Sequence, residues 1–171
     1  MECLKSINRH IILDNRAYYL LFLQDMYPYF DKYLDTDYLS ELVERIEYVM
    51  NLMNDSGESD ETSKSYNSDK SGTPDITQET NHISACDKAL LLDYKAQLLF
   101  PRKEYDNAIK KYKKAIALME NYHKTNTADA RSANLLSNLH NNLSTAYLFR
   151  KKLEEAVSEL KTAFTVRREY A

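Results

Sequence analysis

The sequence predicts an all-α protein made of antiparallel helix–turn–helix repeats that follow an N-terminal helical segment. Its 171 residues include two glycines and three prolines, too few turn-forming residues for a sheet built from hairpins. Apolar residues recur at three- and four-residue steps, the spacing of amphipathic helices. A stretch near the C-terminus also matches another stretch 48 residues earlier. The apolar content of 43% and the charged content of 29% are ordinary for a globular protein.

The N-terminal segment, residues 1–53, is predicted to be helical and to serve as a diverged repeat or a cap. Its clearest helix is LSELVERIEYVMNLM, for which Asp37 is the expected N-cap. Upstream, Pro28 divides an aromatic-rich run, so we expect one helix before about Met26 and a short helical piece around Phe30. The apolar positions of the first-named helix are Leu39, Leu42, Val43, Ile46, Val49, Met50 and Met53.

Residues 54–82 are predicted to form a disordered acidic linker or a long surface loop. Both glycines lie there, among serine, threonine and acidic residues, and the segment has too few large apolar residues to offset the entropy of ordering. Residues 1–53 carry nine acids and five bases, residues 54–82 seven and two, and residues 83–171 ten and sixteen. The C-terminal region is therefore basic although the whole chain is mildly acidic.

Residues 83–171 contain an internal repeat that aligns without a gap at an offset of 48 residues. Its copies are LDYKAQLLFPRKEYDNAIKKYKKAIAL, from Leu92, and HNNLSTAYLFRKKLEEAVSELKTAFTV, from His140. Two helical hairpins are expected, at about 84–122 and 129–170. Positions shared by the copies include Arg102 with Arg150, Lys103 with Lys151, Ala108 with Ala156, Lys113 with Lys161, and Ala115 with Ala163.

This repeat resembles the tetratricopeptide repeat (TPR) family, in which small residues allow two helices to touch while large residues fill the space beside them. The resemblance implies an α-solenoid. Both copies lack the family's usual tryptophan and glycine, and their 48-residue spacing exceeds the family's ~34. Pro101 is expected to end the first copy's first helix around Phe100. The pattern is carried by Leu92, Ala96, Leu99, Tyr105, Ala108, Tyr112 and Ala115 in the first copy, and by Leu143, Ser144, Tyr147, Leu153, Ala156, Leu160 and Ala163 in the second.

The long unit and the NNL sequence of the second copy are similar to the kinesin-light-chain subtype of this family. The resemblance implies that first-helix asparagines face a concave groove and bind the backbone of an extended peptide. The alternative is that the asparagine pair forms the solvated side of a packed helix. The candidate groove residues are Asn138, Asn141, Asn142 and Thr145, together with Asp93 and Gln97 at equivalent positions of the first copy.

No catalytic, cofactor or metal site is predicted. The glycines are confined to the linker, so no glycine-rich phosphate loop or nucleophile elbow can form. The four histidines and two cysteines show no ligand spacing. His140 is expected to lie partly packed beside the core, and the lysines of the run KKYKK to form a solvated face or to meet an acidic partner. No nucleic-acid-binding motif is evident in the basic region.

We therefore expect a non-catalytic, cytoplasmic scaffold that binds a protein or peptide, with no cofactor, nucleic acid or membrane partner. Two alternatives are the repeat part of a peptide-responsive bacterial regulator and a fragment of a longer repeat array. A further, structural alternative is an oligomerising element. The last repeat is not followed by a polar capping helix, and self-association would cover its apolar end.

Overall fold

The computed structural model describes Gln24 and residues 36–55, 83–125 and 129–169. Within these residues all regular secondary structure is α-helical, in five helices without a strand. The chain divides into two compact units, Met1–Ile83 and Ser84–Ala171. The helix expected before Met26, the piece around Phe30 and nearly all of the expected linker lie outside the described residues.

The first unit contains α1, Thr36–Asp55. The helix begins one residue before Asp37, so the expectation that Asp37 is the N-cap is wrong. Asp37 instead lies in the first turn, where a negative charge interacts favourably with the helix dipole. All seven apolar positions given by the three- and four-residue spacing are buried: Leu39, Leu42, Val43, Ile46, Val49, Met50 and Met53.

The second unit consists of two helical hairpins. The first pairs α2, Ala85–Gln97, with α3, Tyr105–Thr125, and the second pairs α4, Ala130–Phe149, with α5, Leu153–Glu169. The helices of each hairpin pack on each other, α3 also packs on α4, and α2 touches α4. The two first helices, α2 and α4, are therefore neighbours along one side of the unit.

Both first helices begin at a capping box, in which two residues satisfy each other's backbone N–H groups. At α2, the Ser84 hydroxyl accepts from the Asp87 N–H at 3.1 Å and the Asp87 carboxylate accepts from the Ser84 N–H at 3.1 Å. At α4, Asp129 Oδ1 accepts from the Ser132 N–H at 2.7 Å and Ser132 Oγ accepts from the Asp129 N–H at 3.2 Å. These local bonds define where each hairpin starts.

The two hairpin turns have the same backbone hydrogen bonds, 48 residues apart. The Lys103 N–H donates to the Phe100 carbonyl at 2.9 Å and the Glu104 N–H to the Leu99 carbonyl at 3.0 Å. In the second copy Lys151 donates to Leu148 and Lys152 to Tyr147, both at 2.9 Å. This is the Schellman pattern, which needs a left-handed residue after the helix. The matched lysines, Lys103 and Lys151, supply it with φ of 57° and 58°.

Pro101 shortens the first helix more than the sequence suggests. The helix ends at Gln97, three residues before the expected Phe100. Pro101 has no N–H with which to reach the Gln97 carbonyl. That carbonyl accepts instead from the Phe100 N–H at 3.1 Å, and Leu99 donates to Ala96 at 3.1 Å. The last turn is therefore tighter than in α4, where Phe149 stands in place of the proline and remains helical.

Small residues lie where the helices approach most closely. Ala89, Ala96, Ala108, Ala115, Ala146 and Ala156 are all fully buried. Tyr112, Met119, Leu139 and Leu143 fill the space around them and are also buried. Alanine at such contacts lets the helix axes come close together without leaving a void.

The expected packing residues are not all buried. Nine of the fourteen are buried, Leu92, Leu99 and Tyr105 are half-buried, and Leu153 and Leu160 are exposed. The expectation for these two leucines is therefore wrong. Their first-copy counterparts lie on α3, which α4 covers, whereas α4 is the only helix that packs on α5 within the described part of the second unit.

Glycine at the left-handed turn positions should stabilise the fold. We expect Lys151→Gly to raise the free energy of unfolding by about 0.5 kcal/mol, because relief of the left-handed penalty outweighs the added freedom of the unfolded chain. Lys161→Gly, in the middle of α5, should lower it by about 1 kcal/mol. Urea unfolding of both variants gives the comparison, and a loss of stability in Lys151→Gly would contradict the assignment of the turn.

Candidate binding groove between the first helices

An open groove lies at the C-terminal end of α2, where this helix adjoins α4. Its volume is about 280 Å³, and it is lined by Gln97, Phe100, Tyr112, Asn142 and Thr145. Gln97 ends α2 and Phe100 belongs to the tight turn after it, while Asn142 and Thr145 lie one turn apart on α4. We call this feature the amide groove, because Gln97 and Asn142 both contribute side-chain amides.

A buried carboxyl links the two helices at the amide groove. Asp93 Oδ1 accepts a hydrogen bond of 2.9 Å from Asn142 Nδ2, and the Gln97 side chain also bonds to Asp93. Asp93 is 5% exposed. This arrangement connects the first helices of the two hairpins through polar side chains and limits the rotation of both amides.

Burial raises the pKa of the Asp93 carboxyl above its ordinary value of 3.8, although the hydrogen bonds from Gln97 and Asn142 oppose this change. The loss of hydration outweighs them because neither amide carries a positive charge. Ionisation of Asp93 therefore lowers the stability of the fold, and the groove has a titratable carboxyl at its base.

The groove combines hydrogen-bonding groups with apolar surface. The Asn142 bond to Asp93 uses one of the two hydrogens of that amide, so the side chain retains further donor and acceptor capacity. Phe100 and Tyr112 provide aromatic surface beside it, and their ring centroids are 6.4 Å apart in an edge-to-face arrangement. Amides beside apolar pockets are suited to holding the backbone and side chains of an extended peptide.

The six candidate residues fall into three places. Asp93, Gln97, Asn142 and Thr145 come together at the amide groove. Asn138 lies further along α4, where its Oδ1 accepts from Arg167 Nη2 at 3.0 Å. Asn141 is exposed on another side of α4, facing a groove between α4 and α5.

The separation of Asn141 from Asn142 follows from helix geometry. Consecutive residues of an α-helix point about 100° apart, so two adjacent asparagines cannot line one narrow groove. Asn142 points towards α2 and bonds Asp93, while Asn141 points towards α5. The backbone carbonyl of Asn141 accepts from Ser144 Oγ at 2.9 Å and from Thr145 Oγ1 at 3.2 Å.

A second pocket continues along α2 and α4 towards their N-termini. It has a volume of about 210 Å³ and includes Asn138. Only Asn138 among its residues was predicted from the sequence, because the others show no motif that distinguishes them from ordinary helix surface. The other lining residues are Cys86, Asp87, Leu90, Arg131, Asn134 and Leu135.

Aromatic residues support one end of the amide groove. Of these, Tyr105 was predicted to pack between helices, whereas Phe100 and Phe149 were not among the candidate residues. The Tyr105 and Phe149 rings stack with centroids 5.0 Å apart, and Phe100 meets both edge-on at 5.7 Å. Such contacts add to the stabilisation from burial. They hold the two hairpin turns side by side and so keep Phe100 in position at the groove.

The surroundings of the remaining titratable residues are those of packed or solvated side chains. His140 is buried, and its Nδ1 lies 2.6 Å from Glu159 Oε2. Burial, followed by the nearby carboxylates of Asp87 and Asp129, raises the pKa of the Cys86 thiol and so disfavours a reactive thiolate. Lys110, Lys113 and Lys114 are exposed and Lys111 is half-buried.

Two further features are absent from the described residues. They contain no cluster of three or more His, Cys, Asp or Glu side chains that could hold a metal ion. None of the described helices is long and apolar enough to cross a membrane.

Comparison of the chain with protein-family models, with curated proteins and with solved structures gave no match.

Replacing Asp93 with asparagine tests the charge state of the groove. At a pH well below 3.8 the carboxyl is protonated in the folded and unfolded chain alike. As the pH rises towards the raised folded pKa, the folded chain holds more protons than the unfolded chain, so wild-type stability falls. The amide that Asp93→Asn introduces cannot ionise and can still accept from Asn142.

We therefore expect the stability of Asp93→Asn relative to wild type to increase with pH, starting near pH 4 and levelling off above the folded pKa. Chemical denaturation of both proteins at a series of pH values measures this difference. A difference that is constant with pH would contradict the raised pKa.

Proposed function

We propose that the second unit is a tetratricopeptide-type helical scaffold that binds an extended peptide segment of a partner protein and performs no chemistry. The segment lies along α2 and α4, with the amide groove as its main contact. The chain is proposed to act in the cytoplasm, and a free Cys86 is compatible with that reducing compartment.

The matched hairpin turns support a repeat architecture. Equivalent backbone hydrogen bonds and left-handed lysines occur 48 residues apart, and fully buried alanines occupy equivalent positions at Ala108 and Ala156. Stacked helical hairpins place their first helices side by side and create extended binding surfaces. This is the geometry that the proposed function requires.

The amide groove is the observation that carries the proposal. Gln97 and Asn142 come from different hairpins and are both bonded to Asp93, so their amides are already oriented before a ligand arrives. Fixed hydrogen-bonding groups lose little entropy on binding, which favours affinity. A backbone carbonyl and N–H of an extended peptide match the donors and acceptors that an amide offers.

The surface is long enough for a short peptide. From Arg131 in the second pocket to Thr145 in the amide groove, α4 advances about 21 Å at about 1.5 Å per residue. An extended chain covers this length with about six residues at about 3.3 Å each. Leu90 and Leu135 offer apolar surface in the second pocket, and Phe100 and Tyr112 offer it in the amide groove.

Blocking the groove provides the test. Random peptides displayed on phage are selected against the full chain, and the enriched peptide is measured by fluorescence anisotropy. Thr145→Arg places a long cation in the groove and should weaken binding by about tenfold or more, since it obstructs the site directly.

Thr162→Arg is the matched control. Thr162 and Thr145 both donate to the carbonyl four residues earlier at 3.2 Å, but Thr162 is exposed on α5 and lines none of the pockets described above. This variant should bind the peptide as wild type does. The proposal fails if no peptide is enriched, or if the enriched peptides bind Thr145→Arg as tightly as the control.

A further inference from the structure

The last helix exposes a continuous apolar stripe. Leu153, Val157, Leu160 and Phe164 are 64%, 49%, 42% and 67% exposed, although they follow the four- and three-residue spacing of a packed helix face. We call these four residues the C-terminal stripe. Four large apolar residues exposed side by side on one helix are unusual at a surface that contacts water alone.

In the first hairpin, the equivalent helix face is covered by another helix. The counterparts of the stripe, 48 residues earlier, lie on α3, where Ile109, Tyr112 and Ile116 are buried and Tyr105 is half-buried. The following helix, α4, packs on α3. The connection between α3 and α4 is four residues long, so the covering helix runs antiparallel to α3.

A groove lies beside the stripe, and its lining residues also have buried counterparts in the first hairpin. It has a volume of about 260 Å³ and is lined by residues of α4 and α5, including Asn141, Leu160 and Phe164. The counterparts of its lining residues are all buried in the first hairpin: Ala89, Asp93, Tyr112, Ala115, Ile116 and Met119. The C-terminal end of the unit therefore has the form of an empty seat for an antiparallel helix.

We propose that this seat is filled by α5 of a second copy of the chain, forming a two-fold symmetric dimer. The stripe has steps of four, three and four residues, so it reads the same in both directions. When the helices run antiparallel, Leu153 meets Phe164 of the second copy and Val157 meets Leu160. A two-fold interface requires this kind of self-complementary surface.

Charge selects the antiparallel orientation. Glu154 and Lys161 are exposed and each follows a leucine of the stripe, so they flank its same side. In an antiparallel pair, Glu154 of each copy lies beside Lys161 of the other, giving two attractive pairs. A parallel pair would instead place these residues of the two copies on opposite sides of the interface, without the attractive pairs. The helix dipoles also favour the antiparallel arrangement.

This interface leaves the amide groove accessible. Asn142 and Thr145 point towards α2, whereas the seat lies on the side of α4 that faces α5. The dimer would present two peptide-binding grooves, which raises the apparent affinity for a partner with two binding segments. The dimer itself does not depend on the proposed peptide binding.

Sedimentation analysis of the full chain tests the proposal. Measured from about 5 to about 500 µM, the wild-type chain should shift from monomer to dimer, since oligomer populations depend on protomer concentration. Leu160→Asp should remain monomeric over this range. Its side chain is already exposed, so circular dichroism should show an unchanged helix content.

Charge exchange tests the orientation of the helices. Glu154→Lys and Lys161→Glu should each weaken dimerisation roughly tenfold, because each replaces two attractive pairs with two repulsive ones. The double variant Glu154→Lys/Lys161→Glu restores opposite charges and should recover the wild-type dimer. Glu155→Lys makes the same change of charge on the far side of α5 and should leave dimerisation unchanged.

Three results would overturn the proposal. They are a wild-type chain that stays monomeric up to about 500 µM, a dimer that persists in Leu160→Asp, and a double charge variant that dimerises no better than the single ones. The first two remove the stripe as a self-association surface, and the third removes the antiparallel register.

Discussion

The close contact of helices at fully buried alanines is the constraint on which the rest of the second unit depends. Ala96, Ala108, Ala146 and Ala156 have no exposed surface, and each stands where a larger side chain would force two helices apart. Overpacking at such positions costs about 1–3 kcal/mol. Because both hairpins use the same close contact, they have similar shapes and can stack. The position of every groove residue follows from that stacking.

Stacking alone does not determine which polar groups meet between the hairpins. The hydrogen bond between Asn142 and Asp93 does so at the junction of α2 and α4, where Asp93 is buried. A buried carboxylate bonded by neutral amides carries a desolvation cost that an apolar residue would avoid. Its benefit is positional, since it fixes the two amides of the groove. The site thus gives up some stability in exchange for a defined arrangement of donors and acceptors.

Periodicity predicted the helices well because an amphipathic helix buries one face, and the spacing of its apolar residues identifies that face. The seven buried positions of α1 could be read from the sequence in this way. The repeat of the turn residues Arg102 and Lys103 at Arg150 and Lys151 likewise corresponds to matching turns. Local patterns of this kind depend on neighbours in the chain, which the sequence displays directly.

Contacts between residues that are distant in the chain were harder to predict. Asn141 and Asn142 are identical neighbours, and their different surroundings depend on which helix lies on each side of α4. Leu153 and Leu160 match first-copy positions that are half-buried and buried. They are nevertheless exposed, because a helix face is buried only where another helix packs on it. Pro101 acts through a missing hydrogen bond to Gln97, which shortened α2 by more than the steric rule alone implies.

The same reasoning explains why the two ends of a stacked unit are chemically different from its middle. Two stacked hairpins share one internal junction, and the second hairpin also has an open face that the first does not cover. In this chain the internal junction holds the Asp93–Asn142 bond, and Asn141 stands at the equivalent position of the open face. At the internal junction these positions are buried between helices, whereas at the open face Asn141, Leu160 and Phe164 are exposed and line a groove.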